Sequence, residues 1–200
     1  MAPDDARAHD LSRVSTPPRV TPLETLADVW LLHPRLHHDE RGFFLERWNQ
    51  RAFAQLGLPP FVQDNHSRSP HGTLRGLHYQ APPHAQGKLV SVVHGRAYDV
   101  AVDLRSDSPT RGRWAGVSLD GDQPSALWIP PGFAHGFLVL SASADVLYKV
   151  TDDYAPDSEG GLAWDDPDVA IDWPLPPGHA PTLSARDARW PRLGELRSPF

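Results

Sequence analysis

Cysteine is absent from the 200 residues. Its absence excludes disulfides, a thiolate nucleophile and any zinc site built on sulfur. A basic surplus is missing as well: 19 Lys and Arg stand against 25 Asp and Glu, a formal net charge of −6. Proteins that grip nucleic acid through its phosphates carry the opposite balance, so nucleic acid is not an expected partner. One small anion in a locally basic pocket stays compatible with that charge. Long apolar runs are lacking too. No stretch approaches the ~20 apolar residues of a membrane-spanning helix. Residues 1–20 hold no continuous apolar run of the kind a secretory signal needs. The expected compartment is therefore the cytoplasm, with no membrane partner.

Proline, by contrast, is plentiful, with 22 residues beside 15 glycines. Proline removes a backbone donor and clashes with the preceding helical turn, so long helices are disfavoured and short strands joined by turns fit better. Residues 1–22 are polar, proline-bearing and aperiodic, and read as a flexible extension. Apolar residues become frequent from Leu23, which sets a single domain over 23–200. Residues 27–32 and 42–48 read as strands around an Asp39-Glu40-Arg41-Gly42 turn. Residues 49–56 read as a helix, because Ala52, Phe53 and Leu56 recur at helical spacing and Gly57 can cap the end. From 61 to 151 strand follows strand. Over 96–104, Tyr98, Val100, Val102 and Leu104 share one parity and Ala97, Asp99, Ala101 and Asp103 the other, the pattern of a half-buried strand. The class this implies is all-β, a sandwich or barrel with a few short helices. The tail, 165–200, is again rich in proline and aspartate and is expected to wrap the core.

Eleven histidines invite a metal reading. A metal site in a double-stranded β-helix needs two histidines one residue apart, a following glutamate and a later histidine. Here the place of the second ligand holds Gln80 in Gly76-Leu77-His78-Tyr79-Gln80, and no glutamate follows closely. His135 could be the later ligand, but two histidines do not make a site, so no bound metal is expected. His78 is then either a satisfied core histidine or a general base with an orienting partner. Lys88 shares parity with Val90 and Val92, and Tyr148 with Val146 and Val150. If the valines face inward, so do the amine and the phenol, and an inward amine is costly without a partner or ligand. The opposite register would put Leu89, Ser91 and Val93 inside. Arg75 and His78 have opposite parity, so they share a face only if Gly76 hosts a bulge. Ser184 and Asp187, three apart, read on spacing alone as the start of a helical turn.

Several strings together resemble the dTDP-4-dehydrorhamnose 3,5-epimerase family. They are Phe61-Val62-Gln63-Asp64-Asn65-His66-Ser67, Leu74-Arg75-Gly76-Leu77-His78-Tyr79-Gln80, Gln86-Gly87-Lys88-Leu89-Val90, Asp99-Val100-Ala101-Val102-Asp103, Leu127-Trp128-Ile129-Pro130, Gly132-Phe133-Ala134-His135-Gly136-Phe137, Leu147-Tyr148-Lys149 and Leu183-Ser184-Ala185-Arg186-Asp187. The resemblance spans roughly Leu23 to Leu193. It implies a cupin jelly roll that works without metal or cofactor, as a homodimer with an exchanged N-terminal strand region. It implies His78 as the proton-abstracting base and Asp187 as its orienting partner, in place of the helix-cap reading. Tyr148 becomes the acid that returns a proton from the opposite face, and Lys88 the cation that steadies the enolate. Arg41, Glu46, Gln63, Asn65, Arg75, His135, Glu159 and Arg186 match positions that bind the nucleotide sugar, and Tyr154 an aromatic that stacks on thymine. Three positions depart from the family pattern: Asp153 replaces the first of two tyrosines, His37-His38 an aromatic, and Arg186 a lysine. The implied substrate is a dTDP-4-keto-6-deoxyhexose. Alternative readings are a single-position epimerase of a related sugar, a ketoisomerase, or a non-catalytic binding module.

Overall fold

The computed structural model describes residues 16–200. In chain order the strands are β1 (Arg19–Pro22), β2 (Trp30–His33), β3 (Leu36–Asp39), β4 (Gly42–Leu45), β5 (Gln63–Pro70), β6 (Leu74–Gln80) and β7 (Lys88–His94). They continue with β8 (Arg96–Asp103), β9 (Trp114–Asp120), β10 (Ala126–Ile129), β11 (Phe133–Val139), β12 (Ser143–Val150) and β13 (Glu159–Gly161). One short helix, α1 (Gln50–Ala54), lies between β4 and β5. Two sheets face each other. One runs β1-β2-β10-β7-β12-β5, the other β13-β6-β11-β8-β9, and β3 and β4 form a separate hairpin. This is the expected all-β jelly roll. The sheet begins four residues ahead of the domain start read from the sequence: Arg19 to Pro22 pair with β2 instead of belonging to an extension. The remainder of the expected extension, 1–15, lies outside the described residues.

The inner faces explain the register. Val90 and Val92 of β7, Val146 of β12, Ala97 and Ala101 of β8, and Phe133 and Phe137 of β11 form one buried cluster between the sheets. Burying a side chain of this size contributes about 1.5–3 kcal/mol, so slipping β7 by one residue would forfeit several such terms at once. Leu89, on the other parity, packs instead beneath α1 with Phe53 and Trp128. Lys88 is thereby committed to the inside and is only 8% exposed.

Strand β8 corrects the half-buried expectation. Its second face, with Val100 and Val102, is also buried, under Leu162, Val169, Trp173 and the partly buried Leu193 and Phe200. The proline-rich tail covers this sheet as a third layer. It is fastened where Asp166 accepts backbone N–H groups from Asp168 and Val169 at 2.8 and 3.1 Å and from Leu193 at 2.5 Å. Helix α1 is shorter than the 49–56 segment. Asn49 caps it by accepting from the N–H groups of Arg51 and Ala52, and Gly57 leaves it with φ +78°. No helix among the described residues is long and apolar enough to cross a membrane.

Candidate active site

Strand β6 carries the central pair of side chains, and its irregularity decides where they point. His78 lies opposite His135 of β11 and Arg75 opposite Phe137, so Gly76 and Leu77 together face the single residue Gly136. This is the bulge that the parity of Arg75 and His78 required. Gly76 has φ +140°, and a Cβ there would sit 2.6 Å from the Gly136 Cα. Only glycine fits. Arg75 and His78 consequently open on one cavity despite their opposite parity.

That cavity, about 280 Å³, lies between the sheets, with Arg75, His78, Lys88, His135, Tyr148 and Asp187 on its walls. Tyr154, Glu159 and Arg186 stand at the same cavity. It adjoins a second space of about 300 Å³ that adds Gln63 and Asn65 while sharing His78, Lys88 and Tyr148. One sheet supplies Arg75, His78 and His135. The other supplies Lys88 from β7, Tyr148 from β12, and Gln63 and Asn65 from β5, where Asn65 pairs directly with Tyr148.

His78 Nε2 lies 2.6 Å from Asp187 Oδ1. Burial pushes the Asp187 carboxyl up, but the hydrogen bond and charge of His78, with help from Ser184 and Trp190, outweigh it and hold the group below its ordinary value. An ionised carboxylate only accepts, so Nε2–H is the donor and the lone pair of neutral His78 sits on Nδ1. Asp187 opens a short 3-10 turn, and its backbone N–H donates to Ser184 Oγ at 3.0 Å. The helical turn read from spacing is therefore real, and it aims the carboxylate. Trp190 completes the mount. Its ring stands edge-on to His78 at 6.0 Å, and its Nε1 donates to Asp187 Oδ1 at 3.4 Å.

Lys88 Nζ donates to the His78 carbonyl oxygen at 3.1 Å, which ties the two sheets together at the cavity wall. Burial lowers its pKa to about 8, against the pull of Asp99 and Glu159 in the other direction. The Tyr148 phenol is pushed up, chiefly by burial and further by Glu159, with Arg75 opposing. It stays protonated at neutral pH and can donate. His135 gives Nε2 to Asp99 Oδ1 at 2.9 Å, and burial lowers its pKa. Arg75 Nε donates to Ser69 Oγ at 2.9 Å, Arg186 meets Glu159 at 2.5 Å, and the Tyr154 hydroxyl donates to Glu159 at 3.1 Å. The Ser67 hydroxyl, on the same cavity, has no hydrogen-bond partner among the described residues.

The structure separates two residues from this group. Arg41 sits at the β3–β4 turn, 84% exposed and paired with Asp39. Glu46 follows β4, where it accepts from Asn49 Nδ2 at 3.1 Å. The hairpin belongs to neither sheet of the sandwich, and neither residue lines this chain's own cavity. Sequence reading also missed Asp99, Trp190, Ser67 and Gln86. Asp99 carried a signal, since it shares the inward parity of Ala97 and Ala101. Trp190 carried none, because its role depends on how the tail folds back. Among the described residues no three His, Asp or Glu side chains gather as a metal site would need. His78 and His135 each spend Nε2 on an aspartate, and Gln80 spends its amide on backbone.

The arrangement offers a base with a fixed tautomer, a phenol, a buried ammonium and a rim of guanidinium groups around one cavity. The chain as a whole is similar to known proteins. The sequence model of dTDP-4-dehydrorhamnose 3,5-epimerase matches residues 24–195. The dTDP-4-dehydrorhamnose 3,5-epimerase of Pseudomonas aeruginosa is 54% identical over 164 residues, covering 81% of this chain and 89% of its own. That of Salmonella typhimurium is 49% identical over 172 residues, covering 85% and 93%. The crystal structure of a dTDP-6-deoxy-D-glucose-3,5-epimerase from Legionella pneumophila, in complex with dTDP-4-keto-L-rhamnose, superposes with a TM-score of 0.85. It is 48% identical, and the match covers 90% of this chain and 94% of that one. The chain belongs to the dTDP-4-dehydrorhamnose 3,5-epimerase family.

Proposed function

We propose that the chain inverts carbons 3 and 5 of dTDP-4-dehydro-6-deoxy-D-glucose and yields dTDP-4-dehydro-L-rhamnose. The observation that carries this is the gathering of His78, Lys88 and Tyr148 around one cavity, with His78 mounted on Asp187. The ketone at carbon 4 makes the protons on its neighbours weakly acidic, because the carbanion delocalises onto oxygen as an enolate. His78 Nδ1 takes each proton while Asp187 steadies the imidazolium. Lys88 stands for the cation beside the developing oxyanion, and removing such a group costs about two to three orders of magnitude in rate. Tyr148 delivers a proton to the opposite face; before the second carbon reacts, His78 loses its proton to solvent and the Tyr148 phenolate takes one back from solvent. No electrons leave the sugar, so the chemistry needs no redox cofactor.

The guanidinium groups of Arg75 and Arg186 suit the diphosphate. Gln63, Asn65, His135 and Glu159 offer further polar contacts, and Tyr154, 53% exposed at the rim, offers a face for the base. Arg41 and Glu46 serve the cavity of a second copy: the hairpin that carries them projects outward with Phe43 47% and Phe44 71% exposed. The working form is on this reading a homodimer, and its compartment the cytoplasm, where a chain without cysteine loses nothing to reduction.

The test is hydrogen exchange followed by NMR, with dTDP-4-keto-6-deoxyglucose in deuterated water. Two deuterium atoms should enter each sugar, at carbons 3 and 5. A single labelled carbon would assign a single-position epimerase instead, and tight dTDP binding without exchange a binding module. His78→Asn should abolish exchange at both carbons while the protein stays folded. Near-normal exchange in that variant would remove His78 from the mechanism.

A further inference from the structure

Residues 152–155 carry Tyr154 to the cavity rim without belonging to either sheet. Backbone polar groups of such a segment still need partners. Here three glutamine side chains supply them. Gln63 Oε1 accepts from the Tyr154 N–H at 3.0 Å. Gln80 Oε1 accepts from the Ala155 N–H at 2.9 Å, while its Nε2 donates to the Asp153 carbonyl at 3.1 Å and the His84 carbonyl at 2.8 Å. Gln86 Nε2 donates to the carbonyls of Asp152 at 2.7 Å and Asp153 at 3.3 Å. The backbone is therefore held on both sides of Tyr154.

Gln80 is 4% exposed, and both ends of its amide are used. The position needs a group that donates and accepts at once, which a carboxylate or an ammonium cannot do. It also explains what stands in the place of a second metal ligand: the side chain is turned to the loop backbone. The clamp reads the carbonyl of residue 153 and not its side chain, so an aspartate there leaves these contacts intact.

We infer that Gln80 and Gln86 are positioning residues that act through the backbone of 152–155 to fix Tyr154 for the nucleotide. The inference rests on the proposed binding of a thymidine nucleotide at this rim. Burial does little to hold the Tyr154 ring; its hydroxyl is tied to Glu159 at 3.1 Å, and the backbone anchors fix the segment from which it projects. A ring left to move would lose freedom only on binding, and affinity would fall accordingly. Gln80 shares β6 with His78, but its amide is spent on the backbone of His84, Asp153 and Ala155 and contacts none of the proton-transferring side chains, so kcat is expected to survive its loss.

The experiment measures the Kd for dTDP by calorimetry, together with kcat and KM on dTDP-4-keto-6-deoxyglucose, for wild type, Gln86→Met and Gln80→Met. Each variant is repeated in a Tyr154→Ala background. Each clamp variant should raise Kd and KM about tenfold, the equivalent of two lost hydrogen bonds, with kcat within about twofold of wild type. In the Tyr154→Ala background the same substitutions should change Kd by less than about twofold, because the ring they position is gone. Unchanged Kd in Gln86→Met, an undiminished effect without Tyr154, or a fall in kcat at unchanged KM would each overturn the assignment. If Gln80→Met does not fold, Gln86→Met, whose side chain is less buried, decides alone. A wild-type protein that neither binds dTDP nor exchanges substrate hydrogens would instead overturn the functional reading beneath it.

Discussion

A lysine whose pKa is lowered by its surroundings is a group the fold tolerates at a cost. The fall of Lys88 from 10.5 to about 8 corresponds to roughly 3 kcal/mol held against the folded state while the amine is charged. Below pH 8 both folded and unfolded chains are protonated, and the full cost is present. Between about pH 8 and 10.5 the folded chain sheds its proton first, so this group makes the protein more stable as pH rises through that window. Retaining such a strained cation makes sense where charge develops during catalysis. Lys88→Met, of similar length and uncharged, is expected to raise the melting temperature at pH 7. Its advantage over wild type should shrink by pH 10, and kcat should fall by about two to three orders of magnitude. Thermal melts at the two pH values, beside the exchange assay, check this. A variant that melts below wild type at pH 7 would show that the buried ammonium stabilises the fold.

One element shows how far the sequence could be read. On β7, alternation alone left two registers open, and the tie was broken by what lies on the neighbouring strands: Val146 on β12 and Leu127 and Ile129 on β10 complete a core only with Val90 and Val92 inside. On β6, alternation pointed the wrong way for Arg75 and His78 unless Gly76 was irregular, and the glycine was the legible clue. No local pattern indicates that the tail, expected only to wrap the core, brings Asp187 and Trp190 beside His78, because the contact between His78 and Asp187 spans 109 positions and depends on the whole of the outer layer. That aspartate was legible only through resemblance. The bulge supplies a direct test. Gly76→Ala puts a Cβ against the Gly136 backbone at a positive φ, which should destabilise the protein by at least about 2 kcal/mol. Urea denaturation measures the loss, and activity should fall further than stability, because a straightened β6 turns Arg75 and His78 to opposite faces. Wild-type stability in Gly76→Ala would mean that β6 takes the substitution without the strain assigned to it.

At the scale of the molecule, the cavity of one chain gathers His78, Tyr148 and Lys88 but not Arg41 and Glu46, which the resemblance assigns to substrate binding. The hairpin that bears them exposes Phe43 and Phe44, one on each face of β4, and apolar rings of that size left to solvent mark a site of association. A homodimer with twofold symmetry would let each hairpin serve the opposite cavity. One copy carries His78→Asn and an intact Arg41, the other Arg41→Ala and an intact His78. Alone, each forms dimers with two defective sites. After mixing at equal concentration and allowing exchange, about half the dimers are mixed, and each mixed dimer has one site built from an intact His78 and an intact Arg41. Activity should therefore recover to about a quarter of the wild-type value per site. A hairpin that serves its own chain gives no such recovery, since every site then keeps the defect of its chain. Phe44→Asp in both copies should prevent exchange, leave a smaller species by sedimentation and abolish the recovery. Mixed dimers shown by mass spectrometry to form without regaining activity would confine Arg41 to a role in its own subunit.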